Sequence, residues 1–382
     1  MPNRILWAKT GGSGIARRPM LKVGLVGSKK DYPAFDSLLS ILRGTLGENQ
    51  VIELRIKDWL PGSPSALKFF LKTFQDLILN VKIMSCYRKE NINTLLLFQV
   101  YYPLALILSK LVNLKSIIFI GGSGFYWSYL EHSSIIDKLS AYANLPTQNF
   151  CHKFADLLIT LSTNMVEMIG IEKCKHKTRF ALPRLDKRFY SHFEIAKKFE
   201  DRDLVVGFVG SFYRRKGISN LIQAIPSIID EKGDCRFLLI GGGPLLNSIK
   251  REAHVFEIGK AVKITGYVDY NDLPQYYNEM KLYVLPAYAE GIPSTIFEAM
   301  GCGAPVLAAR VGGIPGIIKD GETGFLLESN DPKHIAQRII GLLNSPKLLE
   351  KVSMNAYENV RKNFSEGKVM DSWRRILENL AR

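Results

Sequence analysis

The sequence predicts an α/β protein of two doubly wound domains, each a parallel sheet between helices, with the clearest chemistry in the second. Three observations carry this prediction. Short apolar runs alternate with amphipathic helical segments in both halves of the 382-residue chain, the pattern of βαβ units and therefore of parallel strands. The alternation stalls in the charged stretch at residues 186–203 and restarts at Val205. Glycine runs such as Gly121–Gly124 and Gly241–Gly243 follow apolar strands, at the sheet edge where open α/β folds bind ligands.

Residues 1–20 read as an N-terminal arm, because Pro19 breaks the helix that should follow the glycine-rich segment Gly11–Gly14. A first domain then spans residues 21–185. It opens with a strand at Leu21–Gly27, a helix at Ala34–Leu46 and a strand at Val51–Ile56, so Gly27 and Ser28 fall in the first cleft loop. Ser65–Met84 has helical periodicity, with Leu67, Phe70, Leu71, Phe74, Leu77, Ile78 and Val81 on one broad face and Lys68, Lys72 and Lys82 elsewhere. Such a basic amphipathic helix covers a sheet or lies on a membrane, and the expected role is to face the core. Strands follow at Thr94–Phe98 and Ser116–Ile120, with a helix at Pro103–Leu111 between them; the second strand ends in the loop of Gly121 and Gly122. A strand at Asp156–Leu161 precedes Ser162 and Thr163, which are expected to cap a helix at Met165–Ile169.

Residues 186–203 form the linker and residues 204–363 the second domain. There strands are expected at Val205–Val209, Phe237–Ile240, Val262–Thr265, Leu282–Leu285, Val306–Ala308 and Gly324–Leu327. Helices at Gly217–Ile229, Leu245–Glu257 and Leu273–Met280 separate the first four. The segment 364–382 carries Val369, Trp373, Ile376 and Leu380 at spacings of three and four, one helical stripe.

Composition narrows the class. With 47% hydrophobic and 23% charged residues, the chain has globular composition and enough length for two cores. Five scattered cysteines suggest neither a disulfide frame nor a zinc site, and a reducing compartment fits them. Lys110 and Lys115 interrupt the longest apolar candidate for a membrane span, Thr94–Ile120, and the N-terminus lacks the apolar core of a signal peptide. The expected location is cytoplasmic, including the inner face of the membrane as a peripheral protein. The net charge of +15 is uneven: residues 1–180 hold 23 Lys and Arg against 12 Asp and Glu, a net +11, while residues 181–382 hold 28 against 24, a net +4. A basic first half fits an anionic membrane surface; the basic residues are not interleaved with aromatics on one face, so no nucleic-acid partner is expected.

The most informative stretch is Leu282–Leu307, LYVLPAYAEGIPSTIFEAMGCGAPVL. A buried strand stops at Pro286, a loop containing Gly291 follows, and Ser294 or Thr295 is expected to cap a helix reaching Met300. A strand, loop and helix start of this kind hold anions through unpaired amides and the positive end of the helix dipole. Glu290 and Glu298 would repel a phosphate, so they suit hydroxyls on either side of it, and a phosphate flanked by polyols is a sugar nucleotide. A second basic loop, Gly210-Ser211-Phe212-Tyr213-Arg214-Arg215-Lys216-Gly217, also follows a strand and sets Lys216 as a point charge before a helix. By contrast Asp201-Arg202-Asp203 lies in a charge run, and no metal role is expected for it.

The segment from Glu290 to Glu298 resembles the Glu-x7-Glu motif of the retaining glycosyltransferases of family 4, glycosyl transferases group 1, which have the GT-B fold. The resemblance covers about Leu204–Leu380 and is architectural in the first half. It implies two Rossmann-like domains facing each other across a cleft, with the C-terminal helix crossing back onto the first. It further implies that Glu290 contacts the transferred hexose, that the amides of Gly291 and Ile292 with the Ser294 helix start hold the diphosphate, and that Glu298 holds the ribose. Lys216 matches the family lysine that acts on the diphosphate with Gly210. The family arginine position is Ser211, where Arg214 or Arg215 from the same loop supplies the charge. Gly243, Tyr267 and Val268 match segments near the nucleoside. Related enzymes often carry a histidine in the first-domain cleft where this chain has Gly121, so no catalytic histidine is named.

The implied function is metal-independent transfer of a hexose from a nucleotide-diphospho-sugar, UDP- or GDP-linked, to a glycan or lipid-linked acceptor with retention of configuration and without a cofactor. Two other functions fit the same fold: a non-catalytic GT-B partner subunit, and a sugar-nucleotide epimerase.

Overall fold

The computed structural model describes residues 21–28, 33–56, 65–99, 101–121, 135–190 and 197–380. The proposed N-terminal arm and Gly122 lie outside them. The first domain runs β1 (Val23–Ser28), α1 (Pro33–Leu46), β2 (Val51–Ile56), α2 (Ser65–Glu90), β3 (Thr94–Phe98), α3 (Pro103–Leu111), β4 (Lys115–Ile120), α4 (Ile135–Phe154), β5 (Leu157–Thr160), α5 (Met165–Met168) and β6 (Thr178–Phe180). The second runs β7 (Val205–Val209), α6 (Ile218–Glu231), β8 (Arg236–Ile240), α7 (Leu246–Val255), β9 (Val262–Gly266), α8 (Leu273–Glu279), β10 (Leu282–Leu285), α9 (Ser294–Gly301), β11 (Val306–Ala309), β12 (Phe325–Leu327), α10 (Pro332–Leu343) and α11 (Pro346–Asn363), and the chain closes with α12 (Glu366–Leu380).

Each domain holds a six-stranded sheet, ordered β2-β1-β3-β4-β5-β6 and β12-β11-β10-β7-β8-β9. All neighbouring strands are parallel. Central strands such as β3 and β10 are buried along their whole length, which is why they read as unbroken apolar runs. In each sheet the winding direction reverses once, between β1 and β3 and between β7 and β10. At such a switch point the loops diverge and leave a crevice at the carboxyl ends of the strands.

Two segments depart from the sequence reading. Helix α4 contains Pro146, which interrupts the periodicity, and β6 is a three-residue edge strand with Arg179 and Phe180 exposed. Among the described side chains of α2, which leave out Leu67, Phe70, Leu71 and Phe74, the buried apolar ones are Leu79 and Ile83, whereas Leu77 and Val81 are 53% and 72% exposed. The register of that helix is set by buried Asp76, whose carboxylate accepts from the amides of Leu104 and Ala105 at 2.8 and 3.1 Å and caps α3. The cap assigned to Ser162 and Thr163 also changes. Ser162 Oγ accepts from Asn164 N–H at 3.3 Å, while Asn164 occupies the N-cap position without a capping bond from its side chain, which accepts from Thr163 Oγ1 instead. Within the described part of the linker, Phe189 is buried in the second core and Arg202 donates to the carbonyls of Met280, Gly303 and Cys302. Asp203 pairs with Arg236 at 3.0 Å and Lys197 at 3.8 Å.

Helix α12 returns to the first domain and packs against α1. Val369, Trp373, Ile376 and Leu377 join the core formed by Val23, Leu25, Leu38 and Leu42. Trp373 lies 5.8 Å from the Phe119 ring and donates its indole N–H to Leu182 carbonyl at 3.4 Å. Trp373→Ala is expected to lower stability by about 3–5 kcal/mol in denaturant unfolding, the cost of an emptied aromatic site. Met354→Ala, at a 43% exposed position of α11, should change it by less than about 0.5 kcal/mol.

Candidate active site at the second switch point

The loops after β7 and β10 flank the second switch point, and backbone contacts hold them together. Gly217 has left-handed backbone, φ 69°, and a Cβ there would come within 1.8 Å of the Pro286 carbonyl oxygen. Only glycine permits both the turn and the approach. Tyr288 N–H donates to Arg215 carbonyl at 2.7 Å, closing the same seam. As a result Lys216 meets Glu290 in an ion pair, and Arg215 Nη1 lies 3.8 Å from the same carboxylate. Glu290 is 4% exposed, and the oxygen facing Lys216 is sealed from solvent with no directed hydrogen bond, so the charge of Lys216 is its main compensation. Arg214 is exposed; of the two arginines, Arg215 is the one turned to Glu290.

A third loop completes the wall. Gly312, at φ 57°, lies so close to Glu290 that a Cβ would be 1.8 Å from that residue's carbonyl oxygen, and Gly313 N–H donates to Gly291 carbonyl at 2.8 Å. This sets the backbone of Gly291 and Ile292 ahead of α9. Ser294 is the first residue of α9 and is exposed, and Pro293 occupies the cap position without a side-chain bond, so the expected cap by Ser294 or Thr295 does not form. Instead Ser294 hydrogen-bonds the Glu298 side chain, and Thr295 Oγ1 lies 2.8 Å from Tyr283 OH.

Glu298, one turn into α9, is 3% exposed. Tyr277 OH donates to it at 2.9 Å and Tyr270 OH at 3.4 Å. Burial pushes the Glu298 pKa above the usual carboxylate value, opposed by the hydrogen bonds from Tyr277, Ser294 and Tyr270 and by the charge of Lys216. Burial also raises both tyrosines, with the Glu298 charge adding to the effect, so they remain protonated donors. Neither tyrosine was singled out from the sequence. Their spacing carries no signal, and only the packing on α9 of α8, which carries Tyr277, and of the turn before it, which carries Tyr270, brings them to the carboxylate.

The loops after β7, β8 and β9 are stitched in the same manner. Gly210 N–H donates to Ile240 carbonyl, Phe212 N–H to Gly242 carbonyl and Gly241 N–H to Gly266 carbonyl, at 2.8–3.0 Å. Ser211 thereby lies beside the Gly241–Gly243 run, and a Cβ on Gly243 would press on the Phe212 backbone at 3.0 Å. Tyr267 is 75% exposed with its hydroxyl on Gly242 carbonyl at 2.9 Å, while Val268 is half-buried against the core.

Across the cleft, Ser162 after β5 abuts Gly316, and Met168 of α5 reaches Gly312. The carboxyl ends of the two sheets therefore face each other. Gly27 and Ser28, expected in a cleft loop, are instead the last two residues of β1, because their pairing with β2 continues to Arg55 and Ile56; Gly27 lies under the Phe35 ring, and Gly121 follows β4 against the Gln99 side chain. Among the described residues no group of three His, Cys, Asp or Glu side chains is placed to hold a metal ion, and no helix is long and apolar enough to cross a membrane.

Comparison with known proteins agrees with this geometry. Residues 192–359 match the family described as Glycosyl transferases group 1. Capsular polysaccharide biosynthesis glycosyltransferase CapM of Staphylococcus aureus is 31% identical over 168 residues, 44% of each chain, so this chain spans under half the length of that relative. Among solved structures, Anabaena HepE in complex with UDP superposes with a TM-score of 0.72 at 18% identity, covering 94% of this chain and 100% of that one. Sucrose-phosphate synthase from Thermosynechococcus elongatus gives 0.73 at 18%, covering 94% and 99%. The chain has the two-domain GT-B fold of these structures, and residues 192–359 within it are similar to glycosyl transferases group 1.

Proposed function

We propose that this protein is a retaining, metal-independent glycosyltransferase that moves a hexose from a nucleotide-diphospho-sugar to a glycan or lipid-linked acceptor. The observation that carries the reading is the Lys216–Glu290 pair beside the start of α9, with Glu298 eight residues on in the same helix. In this reading the diphosphate lies between Lys216 and the amides of Gly291 and Ile292. Glu290 accepts from hexose hydroxyls, and Glu298 accepts from the ribose, whose hydroxyl displaces that of Tyr270. The UDP and UDP-glucose complexes of HepE favour a UDP-linked donor.

The chemistry asked of these groups is electrostatic. The bond from the anomeric carbon to the diphosphate oxygen breaks, the leaving charge is met by Lys216 and the amides, the acceptor oxygen bonds the same carbon, and its proton passes to the departing phosphate. Preorganised charge of this kind needs no general base. The net +11 of residues 1–180 supports an anionic membrane as the place of action, in the cytoplasm at its inner face. Co-sedimentation with phosphatidylglycerol vesicles should be strong at low salt and fade as salt rises; no binding at low salt would count against it.

Lys216→Ala is expected to weaken donor use by roughly 1.5–3 kcal/mol, read as kcat/KM, because a charge-assisted contact is lost. It should also lower stability by leaving Glu290 buried without its partner. Adding Glu290→Gln should recover the stability but not the turnover, and recovery of both would remove the site.

Glu298 gives a pH prediction. Its raised pKa means that the folded protein holds this proton more tightly than the unfolded chain. Its contribution to stability is therefore largest at low pH and declines as pH rises from the ordinary carboxylate pKa through the raised one. Glu298→Gln should flatten that decline in thermal unfolding followed across pH, and should weaken UDP binding in calorimetry. An unchanged pH slope would contradict the burial argument.

A further inference from the structure

The first sheet has its own switch point, between β1 and β3, and the residue at its lip is Gln99. Gln99 follows β3 with φ 52°, in the left-handed region. Three other described residues besides glycine share such a φ. Asn91 and Asn113 are asparagines, which tolerate it, and Glu257 sits in the turn behind α7. Gln99 alone among them stands at the carboxyl end of a strand. Its backbone is pinned by its own N–H, which donates to Phe119 carbonyl at 2.9 Å.

The side chain fills a space made by the next strand. A Cβ at Gly121 would lie 1.8 Å from Gln99 Nε2 and 2.8 Å from its Cδ, so any other residue at 121 would expel the carboxamide. Gln99 is only half-buried, and no described residue takes its carboxamide in a hydrogen bond. The strand next to β4 is β5, and Ser162, two residues past its end, touches the second domain at Gly316. Gln99 thus stands on the cleft floor, two strands from that crossing, at the edge that faces the donor loops.

We infer that Gln99 is a substrate-positioning residue whose carboxamide hydrogen-bonds a sugar hydroxyl in the cleft, which rests on the glycosyltransfer reading above. A carboxamide offers a donor and an acceptor from one planar group, as a sugar hydroxyl requires, and carries no charge to titrate. Backbone held in a costly conformation is retained where surrounding structure and use demand it. The hydroxyl belongs to the donor hexose or to the acceptor, and the two are separable.

The test is UDP release from UDP-glucose by the full chain, with and without a panel of mono- and disaccharides, for wild type, Gln99→Gly, Gln99→Ala and Gly121→Ala. Glycine suits φ 52°, so Gln99→Gly is expected to keep or raise the melting temperature and to bind UDP within about twofold of wild type. Its sugar-dependent turnover should fall about tenfold, the scale of one hydrogen bond left unmade. A fall also seen without saccharide places the contact on the donor hexose. A fall seen only with saccharide places it on the acceptor. Gly121→Ala, which displaces the carboxamide, should reproduce the loss. Wild-type turnover in a folded Gln99→Gly variant overturns the inference. Absence of turnover from wild type itself, with UDP bound, overturns the glycosyltransfer reading and the assignment with it.

Discussion

The buried charge of Glu290 is the constraint around which the second cleft wall is arranged. A carboxylate sealed from water needs a cation at hand, and Lys216 comes from a loop more than seventy residues earlier in the chain. That demand joins the ends of β7 and β10. Gly217 must then be a residue without a side chain, because it passes under the Pro286 carbonyl, and Arg215 carbonyl must face Tyr288. Gly312 closes against Glu290 from the third side. Replacing the pair with apolar groups could leave the fold intact, so a buried ion pair here is weak evidence for stability and better evidence for use.

Two carboxylates of one motif are treated in opposite ways. Glu290 is met by the cations Lys216 and Arg215, whereas Glu298 is surrounded by hydroxyls from Tyr270, Tyr277 and Ser294 and is held at a raised pKa by burial. The same residue type is thus paired with cations just before the start of α9 and with hydroxyls one turn into it. Tyr270 also extends the second environment toward the linker, through the Phe189 ring at 5.2 Å and the Arg188 guanidinium 5.0 Å over its own ring. The ribose-facing side of the proposed site therefore touches the segment that joins the domains.

Much of the fold was legible because burial on both faces writes itself into a parallel strand as an unbroken apolar run. Thr94–Phe98, Val205–Val209 and Leu282–Leu285 read from the sequence with the bounds they have in the structure. Helix α4 and strand β6 were not legible, since a proline inside one and the shortness of the other erase the periodic signal. Leu77 and Val81 of α2 were misplaced for a related reason: the orientation of that part of the helix is tied to Asp76 capping α3, a contact with another element.

For the site, the sequence by itself determined which groups stand at strand ends: Lys216 after β7, and Glu290 and Glu298 around the start of α9. These positions follow from local rules of strand, loop and helix start. Only the tertiary structure decided what each group meets. Lys216 was read as a phosphate ligand, and in the structure it meets Glu290; Ser294 was read as a cap, and it serves Glu298 instead. Tyr270, Tyr277 and Gln99 carry no motif at all, because a hydrogen bond across elements depends on how helices and strands pack. The order of strands in space, which sets both switch points, is likewise settled by packing and not by any one segment of the chain.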